Sequence, residues 1–145
     1  VLSANITGDI SFTASEINGQ LNYTGTMTGS STFTGTPLQN AVAINSGTIN
    51  GNPTFYEGSS HQGTINGNPT FDGTGDGNAS NDGGIINGNP IFANGAANQA
   101  GSVIIGNPTF NTGSSNDGSA ITGNPIFNND STNTNGGTIV GTATL

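Results

Sequence analysis

The chain has no lysine, arginine, cysteine or tryptophan, and its eight acidic side chains and single histidine give a formal net charge of −8 over 145 residues. Proteins that bind nucleic acids use lysine and arginine to displace counterions from phosphates, so we exclude a nucleic-acid partner. The missing cysteine excludes disulfides and thiolate metal sites. The missing lysine excludes Schiff-base catalysis.

Long apolar runs are absent too. Only 30% of the residues are hydrophobic, and no more than four occur in a row, so we expect no membrane insertion. Glycine, asparagine, threonine and serine make up more than half of the chain, a composition typical of low-complexity proteins without a large core. The chain starts with Val1 instead of methionine. We therefore expect a secreted, extracellular protein that has lost a signal peptide, although a trimmed chain would look the same.

What the chain does contain is a repeat. The sequence Gly-Asn-Pro-x-Phe occurs five times, and an isoleucine stands two residues before each of its glycines. A looser version of this frame surrounds Gly8, Gly19, Gly29 and Gly141, which brings the number of copies to nine. The isoleucines and phenylalanines of the five clearest copies form the predicted core ladder: Ile49, Phe55, Ile65, Phe71, Ile86, Phe92, Ile104, Phe110, Ile121 and Phe127.

Apolar and polar positions alternate within the frame, as in a strand with one buried face. Glycine, asparagine, threonine and proline are poor helix formers, and no 3.6-residue period is present. Most copies are 16 to 22 residues apart, a length that suits one coil of a β-solenoid with one patterned strand and a variable return. The sequence therefore predicts an all-β fold, a β-solenoid-like stack of repeats, with an antiparallel β-sandwich as the alternative.

Proline content divides the chain into three parts. These are a proline-free N-terminal part (residues 1–36), the Gly-Asn-Pro-x-Phe stack (residues 37–137) and a C-terminal strand (residues 138–145). In the first part, the copies at Gly8, Gly19 and Gly29 are too close for each strand to return and run parallel to the one before it. We therefore expect antiparallel strands, or opposite faces of a flattened coil, in residues 1–36.

The proline of the repeat has no backbone N–H and would interrupt every ladder if it lay within a strand. We therefore expect a bend at Gly-Asn-Pro, with the asparagine hydrogen-bonded to the backbone along the stack. An ordinary loop before each strand is the alternative. The predicted corner residues are Pro53, Pro69, Pro90, Pro108 and Pro125.

The first and last strands carry the frame without proline, so their edges can pair with another chain. This favours head-to-tail addition of further copies, although the last strand could simply cap its own stack. The candidate assembly residues are Ile6, Ile10, Phe12, Ile139, Val140 and Leu145.

The Ile-x-Gly-Asn-x-x-Phe frame resembles repeats of bacterial extracellular surface and fibre proteins that are expected to form β-solenoids, and it covers most of the chain. The repeat length and the Gly, Asn and Ser content are also similar to those of curli-type functional amyloid subunits. This resemblance implies a secreted, matrix-forming filament. The proline column and the absence of regular glutamine ladders distinguish this chain from the curli type.

Other candidate sites are limited to one loop and the histidine. Asp72, Asp76 and Asp82 lie in a Gly-rich loop whose alternating carboxylates and amides are typical of calcium sites, although a solvated loop would look similar. His61 has no second histidine or cysteine to act with, so we expect a surface imidazole. We identify no catalytic residue, no cofactor beyond this calcium, and no enzymatic activity.

These patterns together predict a structural subunit of an extracellular filament or biofilm matrix that polymerises with itself. The alternative is a surface-binding module that uses its outward threonine and asparagine ladder to bind ice or glycans, including those on a cell surface. Apolar residues interrupt this ladder at Ile91, Ile105, Ile126 and Val140. Such interruptions favour packing between subunits.

Overall fold

The computed structural model describes residues 1–14, 19–36, 41–75 and 77–145. Within these ranges the protein is a β-solenoid of about seven turns with about 18 residues per turn, built from strands and without a helix. The predicted solenoid is therefore confirmed. The alternative antiparallel sandwich is wrong, because all named strands pair in parallel.

Each coil contributes one strand to each of three sheets, and the strands are numbered β1 to β22 in chain order. Sheet I contains β1 (Ile6–Thr7), β4 (Thr26–Thr28), β7 (Thr48–Asn50), β10 (Thr64–Asn66), β13 (Ile85–Asn87), β16 (Val103–Ile105), β19 (Ala120–Thr122) and β22 (Thr138–Val140). Sheet II contains β2 (Ser11–Thr13), β5 (Thr32–Thr34), β8 (Thr54–Phe55), β11 (Thr70–Asp72), β14 (Ile91–Ala93), β17 (Thr109–Phe110) and β20 (Ile126–Phe127). Sheet III contains β3 (Gln20–Tyr23), β6 (Val42–Asn45), β9 (Ser59–His61), β12 (Ser80–Asn81), β15 (Ala97–Asn98), β18 (Ser115–Asp117) and β21 (Thr132–Thr134).

The core is formed by the two predicted ladders. In sheet I the central residue of each strand is an isoleucine, or Met27, paired with its equivalent in the next coil. In sheet II the phenylalanine rings from Phe12 to Phe127 stack with centroids 4.7–4.9 Å apart and planes 6–11° apart. One coil alone buries too little apolar surface to offset the entropy of ordering it. Stability must therefore arise from contacts between coils.

The bend at Gly-Asn-Pro is confirmed. Gly51, Asn52 and Pro53 separate β7 from β8, and the same three residue types separate sheets I and II in four later coils. Because each proline lies between strands, no sheet loses a donor. Its carbonyl still accepts a hydrogen bond from the next coil, as Pro53 does from the Thr70 N–H at 3.0 Å.

The asparagine of each corner links neighbouring coils, as predicted. Asn52 Oδ1 accepts from the Asn68 backbone N–H at 2.8 Å, and the pattern continues through Asn89, Asn107 and Asn124 at 2.7–2.8 Å. The corner glycines form a parallel column in which coils approach closely. A Cβ on Gly67 would lie 1.9 Å from the Gly51 carbonyl oxygen, so only glycine fits.

The expectation of antiparallel strands in residues 1–36 is wrong for the described part of that segment. β1 pairs in parallel with β4, β2 with β5, and β3 with β6, so the segment belongs to the same solenoid. Tyr23, four residues after Gly19, has the place of the repeat's phenylalanine in the sequence, but it lies in sheet III and pairs with Asn45. The alternative, opposite faces of a flattened coil, is closer to the structure, in which β1, β2 and β3 belong to three sheets of one solenoid. Ile17, which belonged to the same incorrect copy, lies outside the described residues.

The variable return is also more regular than expected. Each return carries a third strand, such as β12 in residues 72–84 and β18 in residues 111–118. In β9, β12, β15 and β18 this strand consists mostly of serine, alanine and asparagine, which have no apolar alternation to reveal it. Among the described residues, no helix could cross a membrane.

Candidate functional site

The two ends of the solenoid are the candidate assembly site. Within the described residues, β22 pairs only with β19 and β1 pairs only with β4, so each leaves one edge of sheet I open. Ile139 and Ile6 are partly buried on the core side of these strands. The two open edges therefore belong to the same sheet and end the same isoleucine ladder at opposite ends of the solenoid.

The N-terminal end is partly covered by the first residues of the chain. The Leu2 N–H donates to the Asn22 carbonyl at 2.8 Å, and the Thr24 N–H donates to the Leu2 carbonyl at 3.0 Å, which continues sheet III. Tyr23 is buried and its hydroxyl donates to the Ala4 carbonyl at 2.8 Å; burial raises its pKa. Phe12 is only 4% exposed, so its ring belongs to the core and is not displayed at this end.

Ile10 has a different place at this end. It occupies the corner position that proline takes in later coils, and 37% of its surface is exposed. Its backbone N–H donates to Ser31 Oγ at 3.1 Å, and its carbonyl accepts from the Thr32 N–H at 3.0 Å. The backbone of Ile10 is therefore tied to the next coil while part of its side chain faces solvent.

The C-terminal end continues sheet II beyond β20. The Phe127 N–H donates to the Thr144 carbonyl at 2.8 Å, and the Thr144 N–H donates to the Pro125 carbonyl at 2.9 Å. Val140 is 69% exposed, and Leu145 is 98% exposed. Apolar side chains are exposed at both ends, since Val1 is 91% and Leu2 38% exposed at the opposite one.

Each corner glycine donates its N–H to the following coil, so the backbone groups at the two ends of this column differ. The N–H of each glycine donates to the strand of the next coil, from Gly8 to Thr28 at 2.9 Å through to Gly123 to Val140 at 2.9 Å. Gly141 is the last of the column, and its N–H has no such acceptor among the described residues. Adjacent residues of a strand point their backbone groups to opposite sides. The Thr7 N–H and carbonyl, next to Gly8, therefore point to the open edge.

The outward faces of sheets I and II differ along the stack. Thr26, Thr48 and Thr64 pair in register on three successive coils of sheet I, and their column continues with Ile85 and Val103. Sheet II behaves in the same way, with three threonines followed by an isoleucine. The outward apolar side chains are 41–69% exposed: Ile85, Ile91, Ile105, Ile126 and Val140. The regular polar array thus covers only the N-terminal half.

The acidic loop is occupied by internal contacts. The Asp72 carboxylate accepts hydrogen bonds from Asn94 Nδ2 at 2.8 Å and from the Thr74 N–H at 3.0 Å, and these bonds lower its pKa. Asp82 accepts from Gln62 Nε2 at 3.4 Å. Asp76 lies outside the described residues, and no three metal-ligating side chains come together among the described ones. The calcium site stays a prediction.

His61 is not a surface residue, and that expectation is wrong. It is fully buried in sheet III, paired with Asn45 in one coil and Asn81 in the next. Its Nδ1 accepts from Asn45 Nδ2 at 2.9 Å, and its Nε2–H faces the Ile85 carbonyl at 3.4 Å. Burial lowers its pKa to about 4, because the charged imidazolium loses its solvation.

His61 interrupts a buried asparagine ladder that sequence reasoning missed. Asn81 Nδ2 donates to Asn98 Oδ1, and Asn98 Nδ2 donates to Asn116 Oδ1, both at 2.8 Å. Beside His61, however, Asn81 Oδ1 is buried without a hydrogen-bond partner. A sequence signal for the ladder exists in two small residues followed by Asn or His, at 59–61, 79–81, 96–98, 114–116 and 131–133.

A scan against protein-family models, a search of curated proteins and a search of solved structures each found no match to this chain.

Proposed function

We propose that this protein is a structural, non-enzymatic subunit of a secreted filament or matrix, in which copies add head to tail. The observation that carries the proposal is the pair of open parallel edges, β1 and β22, at opposite ends of one column. Because every coil contacts the next through the same register, a second copy on β22 is equivalent to one more coil. Such a contact does not close on itself and generates an open filament.

The edges of β1 and β22 lack two of the devices that usually prevent such addition. Soluble β proteins protect edge strands with lysine, proline or a covering segment. This chain has no lysine, and proline is absent from β1 and β22. The exposed Val140 and Leu145 add apolar surface beside the C-terminal edge.

The test uses one residue of the N-terminal edge. Thr7→Pro removes a backbone N–H that points away from the solenoid, so the internal bonds of β1 are retained while the edge loses a donor. We expect the variant to keep the circular dichroism spectrum and melting temperature of the unmodified chain and to form no filaments in negative-stain electron microscopy. Thr7→Val keeps both the N–H and the shape of the side chain, and should polymerise normally. Efficient filament formation by folded Thr7→Pro would reject the proposal.

The threonine columns support a second candidate function, a surface-binding module for ice or glycans. Thr26, Thr48 and Thr64 repeat from coil to coil at the spacing of neighbouring strands, about 4.8 Å. Ice-growth and glycan-binding assays on monomeric Thr7→Pro separate the two functions, because this variant retains the threonine face. Specific binding by the monomer, together with an unmodified chain that stays monomeric, would favour the second function.

A further inference from the structure

We infer that the head-to-tail contact has the register of the internal coils, with β1 of a second copy paired in parallel with β22, Ile6 beside Ile139 and Gly8 beside Gly141. This inference rests on the proposed function and specifies its partner surface. The solenoid shows the same register in each of its seven sheet I pairings within the described residues. The new contact is therefore an additional copy of a contact that already repeats.

The open backbone groups match in this register. Between β19 and β22, the Gly123 N–H donates to the Val140 carbonyl, and the Thr138 N–H donates to the Ser119 carbonyl, both at 2.9 Å. One coil further on, the Gly141 N–H donates to the Thr7 carbonyl of a second copy, and the Asn5 N–H of that copy donates to the Gly137 carbonyl. The Gly141 N–H and the Thr7 carbonyl, which are open at the two ends, thereby become paired.

The corner column continues as well. In the solenoid each corner side chain accepts from the backbone N–H of the next coil, and a hydroxyl can fill this role, since Ser30 Oγ accepts from the Asn52 N–H at 3.3 Å. Thr142 is the last member, and its N–H donates to Asn124 Oδ1 at 2.8 Å. Its Oγ1 then accepts from the Asp9 N–H of a second copy.

The glycine column provides a steric check. At interior positions such as Gly67, Gly88 and Gly106, a Cβ would lie 1.9 Å from the carbonyl oxygen of the preceding glycine. At Gly8, on the outer side of the described stack, a Cβ meets nothing within 4 Å. In the proposed contact, Gly141 of the copy that supplies β22 lies in this space next to Gly8. A Cβ at Gly8 therefore strains the backbone, whose φ is 111°, but meets no neighbouring atom in the monomer, whereas in the filament it would collide with Gly141.

The first experiment introduces cysteines into a chain that has none. Thr7→Cys and Val140→Cys are outward and exposed, and in the proposed register their Cα atoms lie about 4.8 Å apart, within the range of about 4.4–6.8 Å for disulfides. Oxidation of this double variant should give a ladder of covalent multimers on a non-reducing gel. Thr7→Cys with Thr138→Cys, which is also exposed in β22, is the matched control, displaced by two residues or roughly 6.6 Å along the strand, and should give none.

The outcomes distinguish an incorrect register from an incorrect head-to-tail function. If the unmodified chain forms filaments but only the displaced pair links, or neither pair does, the register is wrong and the head-to-tail function stands. If the unmodified chain forms no filaments, both are rejected.

A second variant, Gly8→Ala, should fold and fail to polymerise. Gly101→Ala, with a similarly positive φ of 86° against 111° and equally open surroundings, should polymerise like the unmodified chain. Normal polymerisation of folded Gly8→Ala would overturn the register.

Discussion

At the scale of single residues, His61 has the least expected environment. It takes an asparagine position in a ladder of buried amides, accepts one good hydrogen bond from Asn45, and leaves Asn81 Oδ1 unpaired. A buried polar atom without a partner costs free energy comparable to a lost hydrogen bond. The neutral imidazole is therefore tolerated at this position, whereas its charged form is strongly disfavoured.

This environment makes stability depend on pH. The pKa of His61 is about 4 in the folded protein, against an ordinary value of 6.5. Between these values the unfolded chain binds a proton that the folded chain does not, so the free energy of unfolding decreases as the pH falls through this window. We expect a loss of about 2 kcal/mol between pH 7 and pH 5, measurable by urea denaturation at the two pH values.

His61→Asn is the matched variant for this prediction. An asparagine amide at this position can donate to Asn81 Oδ1 and accept from Asn45, as the other members of the ladder do. We expect its unfolding free energy to change little between pH 7 and pH 5. A variant that loses as much stability as the unmodified chain would show that another group is responsible.

At the scale of elements, the phenylalanine ladder carries much of the packing between coils. Phe71 stacks on Phe55 and Phe92 with centroid distances of 4.8 Å, whereas Phe127 stacks only on Phe110 among the described residues. Phe71→Ala leaves a cavity between two rings and should cost about 3–5 kcal/mol of unfolding free energy. Phe127→Ala should cost clearly less, since it removes one ring contact instead of two. Equal losses for the two variants in urea denaturation would contradict a ladder stabilised by stacking.

Sheets I and II could be predicted from the sequence because their inward positions are isoleucine and phenylalanine, repeated at the spacing of one coil. Sheet III could not, because residues such as Ser59, Ala97 and Asn116 are equally common in loops. Its strands are stabilised by pairing with neighbouring coils and by the buried amide ladder, and neither contact is encoded within a single coil. Placing Tyr23 in the wrong sheet followed directly from this missing third strand.

The candidate site was predictable only in part. The proline-free edges follow from composition, and Ile139 and Val140 lie at the open edge as their positions in the frame indicated. Phe12 does not lie at an open edge, because the end coil is covered by contacts of Tyr23 with Leu2 and Ala4. Such capping depends on three-dimensional neighbours that the repeat frame does not contain.

At the scale of the whole molecule, charge opposes the proposed assembly. Every copy carries a formal net charge of −8, with no lysine or arginine to offset it, so stacking copies brings like charges together. Repulsion between exposed charges acts over the Debye length, which falls from about 30 Å at 0.01 M salt to about 8 Å at 0.15 M. Filament formation should therefore be slow at low salt and become faster as salt increases over this range.

Light scattering or sedimentation of the purified chain at a series of sodium chloride concentrations measures this effect. Sucrose, which does not screen charge, is the control for a general effect of cosolutes on association. Asp117→Asn removes one carboxylate from β18 of sheet III, which pairs with β15 and β21, and leaves the sequences of β1 and β22 unchanged. We expect this variant to polymerise faster than the unmodified chain at low salt and at an equal rate at high salt. Polymerisation that is insensitive to salt, or slowed by it, would mean that repulsion between copies does not limit the assembly.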